Sequence, residues 1–351
     1  MIKCLYRKDK GDRFMIYPKF LQKGNTIGVP APSSGAYNEF YIERYKNSKT
    51  KLEKIGYKCE LSKNIFKNNR ARSASKEERA KEINSMFENN NIDFIMCAAG
   101  GEFLIEILPY IDFDCILKNP KYIQGFSDPT GLLFPITTKC DIATIYGNNF
   151  GEYGVENYYR NVTENLEILK GNLIKQENYS EYENESREMK TGLEGYNFTN
   201  KVEWKSLNNE NINCTGRIIG GCIDIISEIA GTRYDGTKEF NEKYKNDGII
   251  WYFDNCELSK EELIRTLWKL NELDYFKYVK AIIFGRNGNE VSFLNYTMRE
   301  ALKDSVINEY NIPIIFDADF SHKGPCFTII NGAIANLEYK NGEGSLEMKL
   351  I

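Results

Sequence analysis

Between residues 26 and 146 the chain repeats one pattern: a short apolar run, a turn, then a longer stretch with apolar residues at helical spacing. Few folds satisfy it. Strands buried on both faces read as continuous apolar runs, and the helices between them must cover a parallel sheet. The first unit is an apolar strand at 26–31 followed by a helix that ends at Ile55, before Gly56. A strand at 57–61, a charged helix at 76–87 and a strand at 94–97 follow, the last running into Gly100-Gly101. A strand at 122–126, a helix opened by Ser127-Asp128-Pro129-Thr130 and a strand at 142–146 complete the series. The expected fold class is α/β, with a doubly wound parallel sheet in the N-terminal part. Ligands bind such sheets outside the carboxyl ends of the strands, so residues 31–34, 100–104, 127–130 and 146–149 are expected on one rim.

Residues 154–207 change character, rich in Asn, Glu, Tyr and Lys, and read as a connecting region with one helix at 162–170, part of which covers the cleft. From Cys214 the strand and helix pattern resumes, with a glycine turn at Gly220-Gly221 and the capping box Ser259-Lys260-Glu261-Glu262. Short strands dominate after Ile312, so the C-terminal part is expected to be mixed α/β and rich in β-structure.

The 351 residues exceed what a single hydrophobic core holds, and two domains are expected. With 46 basic and 50 acidic residues there is no basic footprint for nucleic acid. No run approaches the ~20 apolar residues of a membrane span, and Met1 to Lys10 lack an apolar leader, so a cytoplasmic location without membrane association is expected. Nine cysteines without a C-x-x-C pair suit buried thiols, and a single histidine makes a metal site improbable.

Gly100-Gly101 after a strand serves either as a tight turn or as a turn whose backbone N–H groups face a substrate. His322, in a loop rich in Asp, Gly and Pro, is the expected site residue, with Asp254, Glu257, Asp317 and Asp319 as carboxylates available to orient it. Neither G-x-G-x-x-G after a first strand nor a phosphate-loop motif is present.

Several landmarks in order give the chain a resemblance to the LD-carboxypeptidase family of serine peptidases, whose relatives include microcin C self-immunity peptidases. They are residues 23–34, Glu77-Glu78-Arg79-Ala80, Gly100-Gly101 with Leu108-Pro109-Tyr110-Ile111-Asp112, Gly125-Phe126-Ser127-Asp128, residues 216–221, Gly231-Thr232 and residues 317–322. The resemblance implies a Rossmann-like N-terminal domain at 1–153, a connecting region at 154–207 and a C-terminal domain at 208–351 that carries His322. It also implies a Ser–His–Glu site in the groove between the domains, no cofactor, and pairing as a homodimer.

The family serine is expected three residues after the second glycine of a strand-turn-helix elbow, where this chain has Leu104; Asp254 stands where the family has glutamate. The resemblance then implies hydrolysis of a peptide or amide bond near a free carboxylate, in a murein peptide or a peptidyl-nucleotide, with the usual serine mechanism lost. In that case His322 and Asp254 are the catalytic pair, Gly101, Glu102 and Ser127 meet the substrate, and Ser127 or a water beside Glu102 makes the attack. The alternative is a non-catalytic binder of peptides or cell-wall fragments.

Overall fold

The computed structural model describes residues 14–351, so the reading of Met1 to Lys10 lies outside the described residues. The N-terminal series comprises β1 (Thr26–Val29), α1 (Glu39–Lys54), β2 (Lys58–Leu61), α2 (Lys76–Glu88), β3 (Phe94–Met96), α3 (Phe113–Lys118), β4 (Ile123–Gly125), α4 (Thr130–Cys140) and β5 (Thr144–Tyr146). Caps fall where short polar side chains precede helical runs: Asn38 accepts from the Tyr41 amide and Ser75 from that of Glu78. The strands pair in parallel in the order β5-β4-β3-β1-β2. All five therefore deliver their carboxyl ends to one rim, as the pattern predicts.

The connecting region holds α5 (Arg160–Leu169) and the two-residue strands β6 (Gln176–Glu177), β7 (Glu181–Tyr182), β8 (Asn200–Lys201) and β9 (Lys205–Ser206). Beyond it come β10 (Ile212–Cys222), α6 (Ile223–Ile229), α7 (Thr237–Lys243), β11 (Ile249–Asp254), α8 (Lys260–Glu272), β12 (Val279–Gly285), α9 (Met298–Asp304), β13 (Ile314–Ala318), β14 (Ile329–Asn331), β15 (Ile334–Lys340) and β16 (Glu343–Lys349). The capping box at Ser259 forms as expected. The second sheet runs β6-β16-β15-β10-β11-β12-β13-β9, with a parallel centre from β10 to β13 and antiparallel flanks.

Two features tie the sheets together. Helix α4 has apolar side chains on every face, with Leu132, Leu133, Phe134 and Ile136 wholly buried, and Phe134 packs on Trp251 of β11 at 6.1 Å between ring centroids. Strand β14 leaves the C-terminal part and adds antiparallel to β5 at the edge of the first sheet, with Ile329 opposite Tyr146. The loop that carries His322 is thereby returned to the rim. Sheet membership does not follow a division at 207/208, because β6 and β9 edge the second sheet and β14 edges the first.

Candidate active site

The turn from β4 to α4 places Ser127 in the left-handed region, with φ +71°. Non-glycine residues rarely adopt this conformation, and here it turns the side chain out of the rim instead of along the helix. The Ser127 hydroxyl oxygen lies 2.8 Å from His322 Nε2, and His322 Nδ1 lies 2.9 Å from Asp254 Oδ1. The same carboxylate oxygen accepts the His322 backbone N–H at 3.1 Å, which fixes the loop as well as the ring. A carboxylate can only accept, so Nδ1 carries its hydrogen; in the neutral ring Nε2 is left to accept from Ser127. Aspartate in place of glutamate still reaches the imidazole.

Asp254, the last residue of β11, is wholly buried, and its second oxygen accepts from the Tyr146 hydroxyl at 2.6 Å. Tyr146 ends β5, and its buried phenol is held well above its ordinary pKa by burial and by Asp254. Sequence reasoning placed Tyr146 on the rim and missed this contact. The signal, a tyrosine at the carboxyl end of an edge-adjacent strand, has no partner until β11 is packed beside it. Burial tends to lower the pKa of His322, but the charge and hydrogen bond of Asp254, aided by the Cys256 thiol, outweigh it and hold the imidazole well above 6.5.

Two of the other carboxylates named for His322 are engaged elsewhere. Asp317 pairs with Lys205 at 2.8 Å, and buried Asp319 accepts from Arg286 and from the Trp204 indole at 2.9 Å. Arg286 also donates to the carbonyls of Lys323 and Pro325, bracing the His322 loop from below. Burial and the charges of Glu102 and Asp224 raise the pKa of Glu257 against the pull of His322.

The structure corrects the expectation that residues 100–104 are the elbow. The Leu104 side chain is wholly buried and lies against Gly131 of α4; its amide donates to Asp128 Oδ2 at 3.0 Å. It opens a 3-10 helix, Leu104–Tyr110, that belongs to the core. Of the two attackers expected in place of Leu104, Ser127 is the one with a hydroxyl within hydrogen-bonding reach of the imidazole.

Nor do Ser127 and Asp128 cap α4. Its N-cap is Pro129 without a side-chain bond, because Ser127 faces His322 and Asp128 accepts from the Ser33 hydroxyl and the Leu104 amide. Burial pushes the Asp128 carboxyl up to about 6 despite these donors. Asp128 therefore ties the 31–34 and 101–104 loops to the turn that holds the serine. Arg79, buried on α2, continues the brace by donating to the carbonyls of Pro32 and Phe103 and to Glu106.

Gly100 lies against Ser127: a Cβ there would stand 3.0 Å from the serine Cβ. Gly101, at φ +149°, backs onto Ser33 and Ser34, where a side chain would collide with both hydroxyls. Glu102 points into solvent. Gly220-Gly221 forms no phosphate loop. Gly221 abuts Thr130, which also receives the Cys222 amide at 3.1 Å, so the pair serves close packing of β10 on the start of α4.

A cavity of about 690 Å³ opens beside His322, lined by Phe126, Asn148, Glu152 and the 183–198 stretch of the connecting region, which does cover the cleft as expected. Among the described residues, no group of three or more His, Cys, Asp or Glu side chains is placed to hold a metal ion, and no helix is long and apolar enough to cross a membrane. Among the described residues eight cysteines form no disulfide, and three of them are partly exposed; the expectation of buried thiols does not extend to Cys115, Cys214 and Cys256.

Comparison with known proteins gives the same frame a name. Residues 27–147 match the LD-carboxypeptidase N-terminal domain, and residues 215–337 the LD-carboxypeptidase C-terminal domain. A Vibrio cholerae relative that bears a carboxypeptidase name is 29% identical, covering 95% of this chain and 98% of its own length. The microcin C7 self-immunity protein MccF of Escherichia coli is 28% identical over 92% of each. The crystal structure of an MccF-like protein from Bacillus anthracis superposes with TM-score 0.80 at 25% identity, covering 96% of this chain and 100% of that one. With both domains matched in order and the two-sheet architecture shared, the chain belongs to the LD-carboxypeptidase family.

Proposed function

We propose that the protein is a serine hydrolase that cleaves a peptide or amide bond near a free carboxylate, in a murein peptide or a peptidyl-nucleotide. The observation that carries this is the hydrogen-bonded series Ser127, His322, Asp254, with Ser127 held at φ +71° on the rim. In this reading His322 Nε2 takes the Ser127 proton as the oxygen attacks the substrate carbonyl. Asp254 keeps Nδ1 protonated and offsets the charge of the imidazolium. Backbone N–H groups at Asp128 and along Gly101-Glu102 are the candidates for stabilising the oxyanion, where the start of α4 adds a favourable dipole. His322 then returns the proton to the leaving amine, and water releases the acyl group by the reverse sequence.

Family membership supports the substrate class, as does the printed description of a neighbour at 25% identity: MccF in complex with aspartyl sulfamoyl adenosine. The non-catalytic alternative rested on a missing hydroxyl, and no observation now favours it. The absence of a membrane-crossing helix among the described residues suits action on a fragment in the cytoplasm. The test is turnover of an L,D-tetrapeptide and of a peptidyl-adenylate analogue by wild-type protein and by His322→Ala. Turnover by the wild type that is lost in the variant supports the proposal; wild-type protein inert toward both contradicts it.

A further inference from the structure

A second hollow, of about 820 Å³, opens beyond the carboxyl ends of β12 and β13, where Arg286 and Asn287 follow one strand and Phe316 and Asp317 lie at the end of the other. Carboxyl ends of parallel strands are where α/β sheets take ligands. The hollow shares no lining residue with the cavity beside His322.

Its wall is basic in a chain that is acidic overall. Lys201, Lys205, Lys260, Arg286, Arg299 and Lys323 line it against Glu203, Glu290 and Asp317, whereas the whole chain carries a net charge of −4. Asp317 is taken by Lys205 at 2.8 Å, and the one carboxylate of Glu290 serves both Lys260 at 3.2 Å and Lys323 at 2.9 Å. Buried Asp319, which does not line the hollow, answers Arg286. Even with Asp319 counted, six cations meet four acids, so an excess of two positive charges remains. Lys201 forms no ion pair among the described residues, and the hydrogen bond of Arg299 goes to the neutral carbonyl of Leu207.

The cations are also fixed in place. Lys260 and Arg286 are both buried; the first donates to the Glu290 carbonyl at 2.9 Å and the second to the carbonyls of Lys323 and Pro325. Arg286 lies over the Tyr182 ring at 4.8 Å from its centroid, and Arg299 over Phe316 at 5.1 Å. Lysine and arginine heads held around one hollow suit phosphate oxygens, and a group with two or more charges answers the excess where a single carboxylate does not.

We infer that this hollow is a second binding site, for a di- or triphosphate group. The shared chemistry is the phosphate chain, which comes either as inorganic polyphosphate or on a nucleotide. The inference stands apart from the proposed hydrolysis, and its test needs no turnover.

The test is calorimetric titration of the full chain with inorganic tripolyphosphate and with orthophosphate, at one ionic strength and free of divalent metal. Tripolyphosphate is expected to bind about tenfold or more tightly than orthophosphate. Lys201→Glu combined with Lys205→Gln is expected to weaken tripolyphosphate binding by about tenfold or more. Lys201→Glu alone breaks no ion pair, is expected to cost about threefold, and carries the test should the double variant unfold. Lys19→Glu combined with Lys46→Gln makes the same change of charge at exposed positions outside the hollow and is expected to leave the affinity within about twofold. ATP separates the sources: affinity lost in the Lys201 and Lys205 variant identifies a nucleotide, and affinity that the variant leaves alone identifies the inorganic chain. No binding of tripolyphosphate, equal affinities for the two inorganic anions, affinity unchanged by both Lys201 variants, or an equal loss in the Lys19 and Lys46 variant overturns the inference.

Discussion

Two neighbouring turns at the same sheet rim carry opposite duties. The turn after β3 has the paired glycines and leads into a helix, yet its fourth residue, Leu104, is sealed in the core and its amide is tied to Asp128. The turn after β4 has one glycine at its strand end and a serine held in a conformation that side chains seldom adopt. Only the second turn faces His322. Glycine content marks where backbone must come close, and here it serves the approach of the first turn to Ser33, Ser34 and Ser127. What marks the reactive position is the non-glycine residue with positive φ opposite the histidine.

Exchanging the roles of the two turns is the sharpest way to break this contrast. Ser127→Ala is expected to lower kcat by about 10⁶-fold, as loss of a triad serine does, with the melting temperature nearly unchanged. Steady-state kinetics and a thermal melt check both. Asp254→Asn is expected to cost about 10⁴-fold in kcat, because an amide in that place favours the wrong imidazole tautomer. Leu104→Ser should do the reverse of rescue. It is expected to destabilise the protein by roughly 3–5 kcal/mol through a core cavity and a buried hydroxyl, with no gain in turnover, by denaturant melts and assay. Activity gained by Leu104→Ser in a Ser127→Ala background would invert the comparison.

Much of this was legible in the chain. The strand and helix alternation placed Ser127 on the rim, the surroundings of His322 marked it as a site residue, and the family resemblance singled out Asp254 from four carboxylates. The identity of the elbow was not legible. Ser127 and His322 are 195 positions apart, and their contact depends on α4 lying between the sheets and on β14 returning to β5. A local reading of Ser127-Asp128-Pro129-Thr130 as a helix cap is sound for propensity alone. The tertiary demand on each side chain overrides it, because Ser33 and Leu104 bind Asp128 and His322 binds Ser127. Tyr146 escaped for the same reason, since its partner lies on another sheet.

Smaller effects sharpen the picture around Asp254. Tyr146→Phe leaves one oxygen of a buried carboxylate without its donor; a loss of about 1–3 kcal/mol in stability and roughly a tenfold fall in kcat/KM are expected. The His322 imidazole binds its proton more tightly than the ordinary 6.5. Catalysis needs the neutral ring, so kcat/KM is expected to rise with pH through an apparent pKa above 6.5, and Asp254→Asn is expected to move that limb downward. The stability supplied by the charged pair runs the other way: it is complete below the unfolded pKa and is lost as pH rises through the folded value.

The central claim is that a hydroxyl activated by His322 sits on the turn after β4. Treatment of the wild-type protein with a fluorophosphonate, followed by peptide mass mapping, tests it most directly. The account predicts a single adduct on Ser127 that is absent in His322→Ala; no adduct, or an adduct on any other residue, would contradict it.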